Sequence, residues 1–240
     1  MRLDVYLVER LSVTSRTRAA HLIKLGGVKV NGRVVDKAAY DVGETDSVEV
    51  SDVIGFASLG GLKLEEAITR LSVPVGGVAV DIGASNGGFT DCLLRHGADH
   101  VYAVDVGECA LPPQLREDAR VTVMDNTNAR DLTPQDFATP LNMAVCDVSF
   151  ISLTLILPVI ADLLVSGGHA VVLVKPQFEV GKAGLTKSGV VKDERTRLKA
   201  LTRIKGCCED LGLRVVGECP VPKLFEDKNV EYLLHLVKRG

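Results

Sequence analysis

Several ionisable residues follow apolar stretches of the sequence at points where strands are expected to end. In chain order they are Asp81, Asp105, Asp125, Asp147 and Lys175. Lys175 is the least expected, because it ends an apolar run at residues 171–174 and is followed by Pro176, which cannot continue strand pairing. Burying an ammonium is costly unless an opposite charge lies nearby. Asp147 ends the preceding apolar strand, so Asp147 and Lys175 are predicted to share a functional site; a purely structural ion pair is the alternative.

A glycine-rich turn lies between the first and the second of these acids. The stretch VAVDIGASNGGFTDCLL, residues 78–94, is typical of a strand, a tight turn and the helix that leaves it. Asp105 ends the next strand, where a carboxylate can accept both hydroxyls of a ribose. This layout indicates a nucleotide-containing cofactor, and the alternative is a structural turn with a helix cap.

Asp81 helps to distinguish the candidate cofactors. It directly precedes the turn, which reads G-A-S-N-G-G rather than the G-x-G-x-x-G of dinucleotide-binding proteins. A carboxylate at this position can bind the ammonium group of S-adenosylmethionine, but it would repel the pyrophosphate of a dinucleotide. The pattern therefore favours S-adenosylmethionine, with an NAD-dependent oxidoreductase as the competing interpretation.

The elements that must position these residues alternate between helix and strand from residue 62 onwards. A helix is expected at 62–71, and strands are expected at 78–81, 101–104, 121–124, 143–146, 169–174, 214–221 and 232–237. Such alternation predicts an α/β domain with a largely parallel, Rossmann-like sheet. The pair Pro112–Pro113 is expected to prevent helix across residues 107–116.

The N-terminal residues form a separate, polarised unit in the sequence. Residues 1–37 contain eight Lys/Arg against three Asp/Glu, whereas residues 38–60 contain five acids and no base. The basic face could contact a nucleic-acid backbone or be a solvated surface. We therefore divide the chain into a small α+β domain at 1–52, a linker at 53–61 and a second domain at 62–240.

Local signals within the first domain are strong. Ser15 is expected to cap a helix that ends at Gly26–Gly27. The turn pair Asn31–Gly32 between two short apolar runs predicts a hairpin, and residues 47–50 predict a further strand.

Composition excludes several classes of protein. The chain has 240 residues with 28 Lys/Arg and 31 Asp/Glu, and no run approaches the roughly 20 apolar residues of a membrane-spanning helix. The N-terminus lacks the apolar core of a signal peptide. The six cysteines form no CxxC pair and show no recognised spacing to histidine for a metal site. We therefore expect a cytoplasmic protein without membrane attachment and without a metal cofactor.

The first domain resembles a known RNA-binding module. The residues RLDVYLVER, SRTRAAHLIKLGGVKVNGRVV and SVEV are similar to the module first seen in a ribosomal small-subunit protein, which also occurs in tyrosyl-tRNA synthetases and pseudouridine synthases. The resemblance implies that RNA lies near Arg16, Arg18, Lys24, Lys29 and Asn31. Because this stretch has no aromatic stacking platform, contact through shape and phosphates is expected.

A second resemblance covers nearly the whole chain. The motifs GGLKLEEAI, VDIGASNGGFTDCLL, VYAVDVG, TNARDLTP, DVSFISL, LVKPQFE, SGVVKDE and NVEYLL occur in this order. The chain is thereby identified as a member of the TlyA, or hemolysin A, family, whose members are ribosomal RNA ribose 2'-O-methyltransferases with an FtsJ-like catalytic domain. The resemblance implies a Rossmann-like class I methyltransferase sheet, S-adenosylmethionine as cofactor, and cytidine in ribosomal RNA or ribosomal subunits as the substrate.

The resemblance also implies site residues. The FtsJ-like Lys–Asp–Lys–Glu pattern falls on Lys63, Asp147, Lys175 and Glu231, although the sequence pattern alone would place Lys63 and Glu231 on the surface. Cofactor-binding residues carried over by resemblance, together with Asp81, are Gly83, Ala84, Ser85, Gly87, Gly88, Asp105, Asp125, Asn128 and Asp147. Asp105 is assigned to the ribose, Asp125 and Asn128 to the adenine side, and Asp147 also to the sulfonium.

Lys175 is the central residue of the expected reaction. Methyl transfer to a ribose hydroxyl requires in-line placement of oxygen, methyl carbon and sulfur and the management of one proton. Lys175 can act as a general base if its amine is neutral, which burial and Lys63 favour. It can instead stabilise the developing alkoxide as an ammonium, which Asp147 and Glu231 favour. The sequence leaves both roles open.

Two further alternatives compete with an RNA methyltransferase. One is a haemolysin-like protein that acts directly on membranes, for which the sequence offers no basic amphipathic membrane helix. The other is an RNA-binding protein without catalysis, which the presence of all four residues of the pattern disfavours.

Overall fold

The structure is a computed structural model, and it describes residues 1–222 and 229–240. By internal contacts the chain divides into two compact units, Met1–Leu59 and Gly60–Gly240. The predicted linker, residues 53–61, spans this division. Its last three residues form the start of a helix rather than linker.

The first unit combines two helices with a small antiparallel sheet. The helices are α1 (Leu3–Leu11) and α2 (Arg16–Lys24), and the strands are β1 (Val28–Val30), β2 (Arg33–Val34) and β3 (Val48–Val50), in the order β2-β1-β3. The Ser15 hydroxyl caps α2 by accepting the Arg18 N–H at 3.1 Å, as predicted. Val30 pairs with Arg33 across the Asn31–Gly32 turn, and both turn residues have positive φ, so the predicted hairpin is confirmed.

The second unit contains five helices and seven strands within the described residues. The helices are α3 (Leu59–Leu71), α4 (Gly88–Arg95), α5 (Pro113–Arg116), α6 (Leu157–Leu163) and α7 (Glu194–Asp210). The strands are β4 (Val78–Ile82), β5 (His100–Val104), β6 (Val121–Met124), β7 (Leu141–Cys146), β8 (Leu164–Val174), β9 (Leu213–Pro220) and β10 (Tyr232–Lys238). All seven predicted strands are therefore present.

The seven strands form one twisted sheet in the order β6-β5-β4-β7-β8-β10-β9. The strands β4 to β8 pair in parallel, whereas β10 lies antiparallel between β8 and β9. The central strands are apolar on both faces and buried, which is typical of a parallel sheet covered by helices. The predicted Rossmann-like fold is confirmed, and the carboxyl ends of β4, β5, β7 and β8 lie along one edge.

Three boundaries differ from the predictions. Helix α3 begins at Leu59 and includes the glycine pair, because Gly61 is buried in the helix interface and packing outweighs its low helix propensity. Strand β8 begins at Leu164, where it already pairs with Leu141 before a register shift. The expectation that Pro112–Pro113 excludes helix across 107–116 is wrong for its last four residues, since Pro113 begins α5, where a helix does not need its N–H.

Candidate active site

A cleft of about 390 Å³ lies at the carboxyl edge of β4, β5 and β7. The predicted residues that line it are Gly83, Ser85, Asp105, Asn128 and Asp147. Ligands of such sheets bind outside the carboxyl ends of the strands, at the point where strand order reverses. In this sheet the reversal falls between β4 and β7, so the cleft occupies the expected place.

The glycine-rich turn packs tightly against the end of β7. Gly83 has φ +86°, and a Cβ atom built there would lie 2.8 Å from the backbone oxygen of Asp147. The N–H groups of Gly83 and Ala84 both donate to the carbonyl of Val104, at 2.9 and 3.0 Å. The turn is therefore held between β5 and β7, and only glycine fits at its first position.

Asp105 is fixed at the rim of the cleft by two backbone groups. Its Oδ2 accepts the N–H of Ser85 at 3.0 Å, and its Oδ1 accepts the N–H of Gly107 at 3.0 Å. Each carboxylate oxygen has a second lone pair. Asp105 is thus oriented to accept hydroxyl groups, as expected for a residue that binds ribose.

Asp81 lies fully buried beneath the turn rather than in the lining of the cleft. Its Oδ2 accepts the Thr90 hydroxyl at 2.7 Å, while its Oδ1 has no hydrogen-bond partner among the described residues. Burial raises the pKa of this carboxyl from 3.8 to about 7, against the lowering effect of the Thr90 hydrogen bond. A buried acceptor without a partner fits a site that receives a cationic ligand such as S-adenosylmethionine.

Replacing Asp81 with asparagine is expected to change the pH dependence of stability. Because the pKa of Asp81 rises from 3.8 to about 7 on folding, the folded state binds this proton more tightly than the unfolded state. In the wild type this group therefore lowers the free energy of unfolding as pH rises from about 4 to about 7, by a few kcal/mol at most. Asp81→Asn removes that slope.

The measurement is urea unfolding of both proteins without cofactor at half-unit intervals between pH 4.5 and about 7.5, a range set by the two pKa values. As pH rises, the free energy of unfolding of the wild type should fall relative to that of the variant. Two parallel curves would contradict the raised pKa of Asp81.

Lys175 and Asp147 form a partly buried ion pair at the end of β7 and β8. Lys175 Nζ lies 2.5 Å from Asp147 Oδ1 without hydrogen-bond geometry, and it donates a hydrogen bond to the Ser149 hydroxyl at 2.8 Å. Lys175 is buried, so its ammonium is compensated by Asp147 as the sequence predicted. The arrangement presents a proton donor beside the cleft.

A second ion pair joins the other two residues of the predicted four. Lys63 Nζ donates to Glu231 Oε2 at 2.7 Å, and only 21% and 18% of their side-chain surfaces are exposed. Both residues are therefore largely covered, which the sequence pattern alone did not indicate. Glu231 directly precedes Tyr232, which pairs with Val174, so the antiparallel register places Glu231 opposite Lys175. The two ion pairs thus lie side by side at one sheet edge.

Glu179 connects the loops that follow β7 and β8. Its Oε1 accepts the N–H of Leu153 at 2.8 Å, and its Oε2 accepts the Ser152 hydroxyl at 2.7 Å and the Arg203 guanidinium at 2.6 Å. The carboxylate is almost completely buried. Glu179 therefore connects the segment after Asp147, the segment after Lys175 and helix α7.

The remaining predicted cofactor residues also have structural contacts around the cleft. Ala84 and Gly88 are buried in the turn and the start of α4, and Gly87 (φ +75°) packs against Leu111, which a Cβ atom there would approach to 2.5 Å. Asp125 follows β6 and accepts hydrogen bonds from the N–H of Cys109, at 2.6 Å, and from the Arg116 guanidinium. These bonds fix the segment that precedes β6. Asn128 lines the cleft and also caps the turn Ala129–Asp131.

Sequence reasoning missed residues that support the predicted ones. Ser149 accepts from Lys175, Gln177 donates to Glu231 at 3.3 Å, and Thr90 donates to Asp81. The cleft is also lined by Val106, Thr127, Arg130, Val148 and Ile151. The signal that could have identified Ser149 and Gln177 is their place two residues after Asp147 and Lys175, on the loops that leave these strand ends.

The predicted RNA-binding residues of the first unit divide into two groups. Arg18 donates to the carbonyls of Phe56 and Ala57 and pairs with Asp52, and the Asn31 amide bonds Asp46 and Ser47, so both stabilise the unit itself. Arg16 pairs with Asp4 but is largely exposed. Lys24 and Lys29 are exposed. Together with Arg2, Arg16 lowers the pKa of the buried Asp4 carboxyl to about 2.

Comparison with known proteins agrees with this architecture. Residues 56–238 match the family described as FtsJ-like methyltransferase, and residues 1–48 match the S4 domain. The 16S/23S rRNA (cytidine-2'-O)-methyltransferase TlyA of Mycobacterium tuberculosis is 40% identical over 238 residues, which is 98% of this chain and 89% of that protein. Hemolysin A of Brachyspira hyodysenteriae is 39% identical over 239 residues, covering 99% and 100%.

One solved structure is similar to this chain along all of its residues. It is a protein of Streptococcus thermophilus described as a candidate hemolysin, with 38% identity, a TM-score of 0.79, and coverage of 100% of this chain and 89% of that chain. Among the described residues of our chain, no helix is both long and apolar enough to span a bilayer.

Proposed function

The chain belongs to the TlyA, or hemolysin A, family of FtsJ-like methyltransferases, and from this membership we propose that it transfers a methyl group from S-adenosylmethionine to the ribose 2'-hydroxyl of cytidine in ribosomal RNA. The observation that carries the proposal is the pair of ion pairs Lys175–Asp147 and Lys63–Glu231 beside the cleft. The name of the relative from M. tuberculosis and the FtsJ-like domain support a transferase over the membrane-active and non-catalytic alternatives. We place the reaction in the cytoplasm, on ribosomal RNA or a ribosomal subunit.

The residues of the cleft suit this cofactor. S-adenosylmethionine supplies an electrophilic methyl group on a sulfonium, and we assign Gly83 and Ser85 to its contact with the turn. Asp105, oriented by two backbone groups, accepts the ribose hydroxyls. Asp81, beneath the turn, provides negative potential for the methionine ammonium through its Oδ1, which has no hydrogen-bond partner in the described part of the chain. Asn128, which lines the cleft, is assigned to the adenine.

Lys175 and Asp147 are assigned to the 2'-hydroxyl as one unit. Lys175, held by Asp147, donates a hydrogen bond to the 2'-oxygen and fixes its direction of attack. The hydroxyl proton passes to the Lys175–Asp147 pair as the oxygen forms its bond to the methyl carbon. Glu231 lies opposite Lys175 on the neighbouring strand. Lys63 pairs with Glu231 and balances the charge of its carboxylate.

The test is direct methylation with the purified protein. Labelled S-adenosylmethionine is incubated with naked ribosomal RNA and with each ribosomal subunit, and the product is digested to nucleosides and mapped by resistance to alkaline cleavage. We expect label in 2'-O-methylcytidine of at least one substrate. Label confined to a base, or to protein, would overturn the proposal, and so would unchanged 2'-O-methylation in cells without the gene.

Phe150 is expected to contribute a surface for the RNA. It follows Ser149, the partner of Lys175, and the residue is 92% exposed. Its backbone φ is +64°, and its ring centroid lies 5.1 Å from that of Phe178. Stacking of a base on an aromatic ring contributes about 1–3 kcal/mol. Phe150→Ala is therefore expected to raise KM for RNA about tenfold or more, with unchanged affinity for S-adenosylmethionine.

Two further variants test whether the effect is specific to the aromatic ring at position 150. Phe150→Tyr keeps a ring and should retain most activity, and Leu198→Ala removes another exposed apolar side chain, on α7, without effect. Steady-state methylation at varied RNA concentration measures all three. A wild-type KM in Phe150→Ala would contradict the assignment.

A further inference from the structure

A glutamate, a cysteine and a histidine lie together between α3 and α4, and none of the three lines the cleft. Glu65 Oε2 lies 2.5 Å from His96 Nε2 and 3.8 Å from Cys92 Sγ. The three candidate ligand atoms all lie within 4.8 Å of one another. This cluster of Glu65, Cys92 and His96 has no part in the reaction described above.

The cluster forms because two helices contribute to it. Cys92 lies in α4 and His96 follows as its C-cap residue, so their spacing of four places both side chains on one helix face. Glu65 reaches them from α3, 27 residues before Cys92. The spacing of cysteine and histidine in the sequence indicated no metal site, and Glu65 is invisible to such spacing because it comes from another helix.

We propose that Glu65, Cys92 and His96 form a binding site for a zinc ion. Thiolate, imidazole and carboxylate are the three ligand types that Zn²⁺ uses in proteins. Mg²⁺ and Ca²⁺ require oxygen ligands, so a site with sulfur and nitrogen discriminates against them. Three protein ligands leave the fourth tetrahedral position to water.

The geometry requires only a small movement. Zinc–ligand bonds of about 2.0–2.3 Å place neighbouring ligand atoms roughly 3–4 Å apart. The Cys92–Glu65 separation already has this value, whereas the Glu65–His96 hydrogen bond must open by about 1 Å. In the metal-free protein a hydrogen bond joins Glu65 and His96. Zinc takes the place of that hydrogen bond and displaces the thiol proton of Cys92 to solvent.

The three candidate ligands differ in their exposure to solvent. Cys92 is completely buried, while 31% of the His96 side chain and 39% of the Glu65 side chain are exposed. An ion can therefore enter from solvent past Glu65 and His96 and be held by the sulfur beneath. Once bound, it ties α3, which carries Lys63, to α4, which leaves the glycine-rich turn.

The test is zinc binding by the purified full-length chain, with Zn²⁺ alone as the probe. Competition against a chromophoric chelator should show about one tightly bound ion per chain, and substitution by Co²⁺ should produce a thiolate-to-metal charge-transfer band. Cys92→Ala, His96→Asn and Glu65→Gln should each weaken binding by about 100-fold or more, since even the loss of an outer supporting residue costs ten- to hundredfold.

Control variants keep the result interpretable. Cys219→Ala and His100→Asn remove a buried cysteine and a half-buried histidine outside the cluster, and both should bind zinc as the wild type does. Zinc should also raise the Tm of the wild type and of these controls, but not that of the three cluster variants.

The proposal fails if the wild type binds no zinc in competition with the chelator, or if the cluster variants bind as tightly as the controls. A Co²⁺ complex without a thiolate band overturns it as well. If Cys92→Ala does not fold, the variants at the partly exposed His96 and Glu65 decide the question.

Discussion

Lys175→Met abolishes methyl transfer while leaving the affinity for S-adenosylmethionine nearly unchanged; this is the expected result with the largest effect. Methionine has a similar length but cannot donate a proton to the 2'-oxygen. Proton transfer by a positioned group contributes about 10²- to 10⁴-fold, and one donor to a developing negative charge contributes about 10²- to 10³-fold. We therefore expect the rate of methylation to fall by about 10³-fold or more.

The measurements are single-turnover methylation of ribosomal RNA and calorimetric titration with S-adenosylmethionine. The cofactor turn at Gly83 and the ribose acceptor Asp105 are untouched by the substitution, which is why binding should persist. Lys199→Met, an exposed lysine on α7, is the matched control and should be fully active. Retention of a tenth or more of the activity, roughly the scale of a lost peripheral contact, would exclude Lys175 from the central role.

A stability control separates catalysis from folding. Removing Lys175 leaves Asp147 partly buried without its partner, which is destabilising. The double variant Asp147→Asn/Lys175→Met removes this unpaired charge and should recover part of the free energy of unfolding without recovering activity. Recovery of both together would mean that Lys175 serves only the fold.

Gly83→Ala is expected to lose both cofactor affinity and stability. The residue has φ +86°, and an added Cβ would lie 2.8 Å from the Asp147 backbone oxygen and 3.1 Å from its carbonyl carbon. The left-handed backbone costs about 1–2 kcal/mol with a Cβ atom, and forced overpacking adds about 1–3 kcal/mol. The clash is relieved only by separating the turn from the end of β7, and a misplacement of about 1 Å there costs about 100-fold in rate.

Gly97→Ala supplies a matched control for this prediction. Gly97 also has positive φ, +95°, but an added Cβ would meet nothing within 4 Å. It should therefore show only the backbone cost, with normal affinity for S-adenosylmethionine. Urea unfolding and calorimetric titration of both variants make the comparison, and equal behaviour in the two would show that the Gly83–Asp147 contact is unimportant.

Much of the sheet could be predicted because its strands carry their own signals. Strands such as β7 and β8 are apolar runs bounded by polar or turn residues, and their positions follow from sequence. The position of β10 is different, because nothing in its own residues states that it inserts antiparallel between β8 and β9. The start of α3 was missed since burial of Gly61 outweighs a local preference that argues against helix.

The residues of the candidate site were likewise predictable only in part. Acids at strand ends could be predicted because parallel strands bring their carboxyl ends together, and so could Lys175, whose charge contradicts its apolar surroundings. Lys63 and Glu231 required resemblance to a family, because they come together only through an ion pair between positions 168 residues apart. Ser149, Gln177 and Glu179 come from loops, whose conformation depends on tertiary contacts. Which of these residues bind cofactor or RNA stays a prediction.

The position of β10 also determines when the ion pair between Lys63 and Glu231 can form during synthesis of the chain. Lys63 and Glu231 are 168 residues apart in the chain, and Glu231 enters the site only when β10 pairs with β8. At 5–20 residues per second, roughly 10–30 s separate the synthesis of the two residues. During that interval the nascent chain already carries its S4 domain, while the second ion pair is still incomplete. A newly made chain therefore completes its first compact unit well before the strand that brings Glu231 to Lys63.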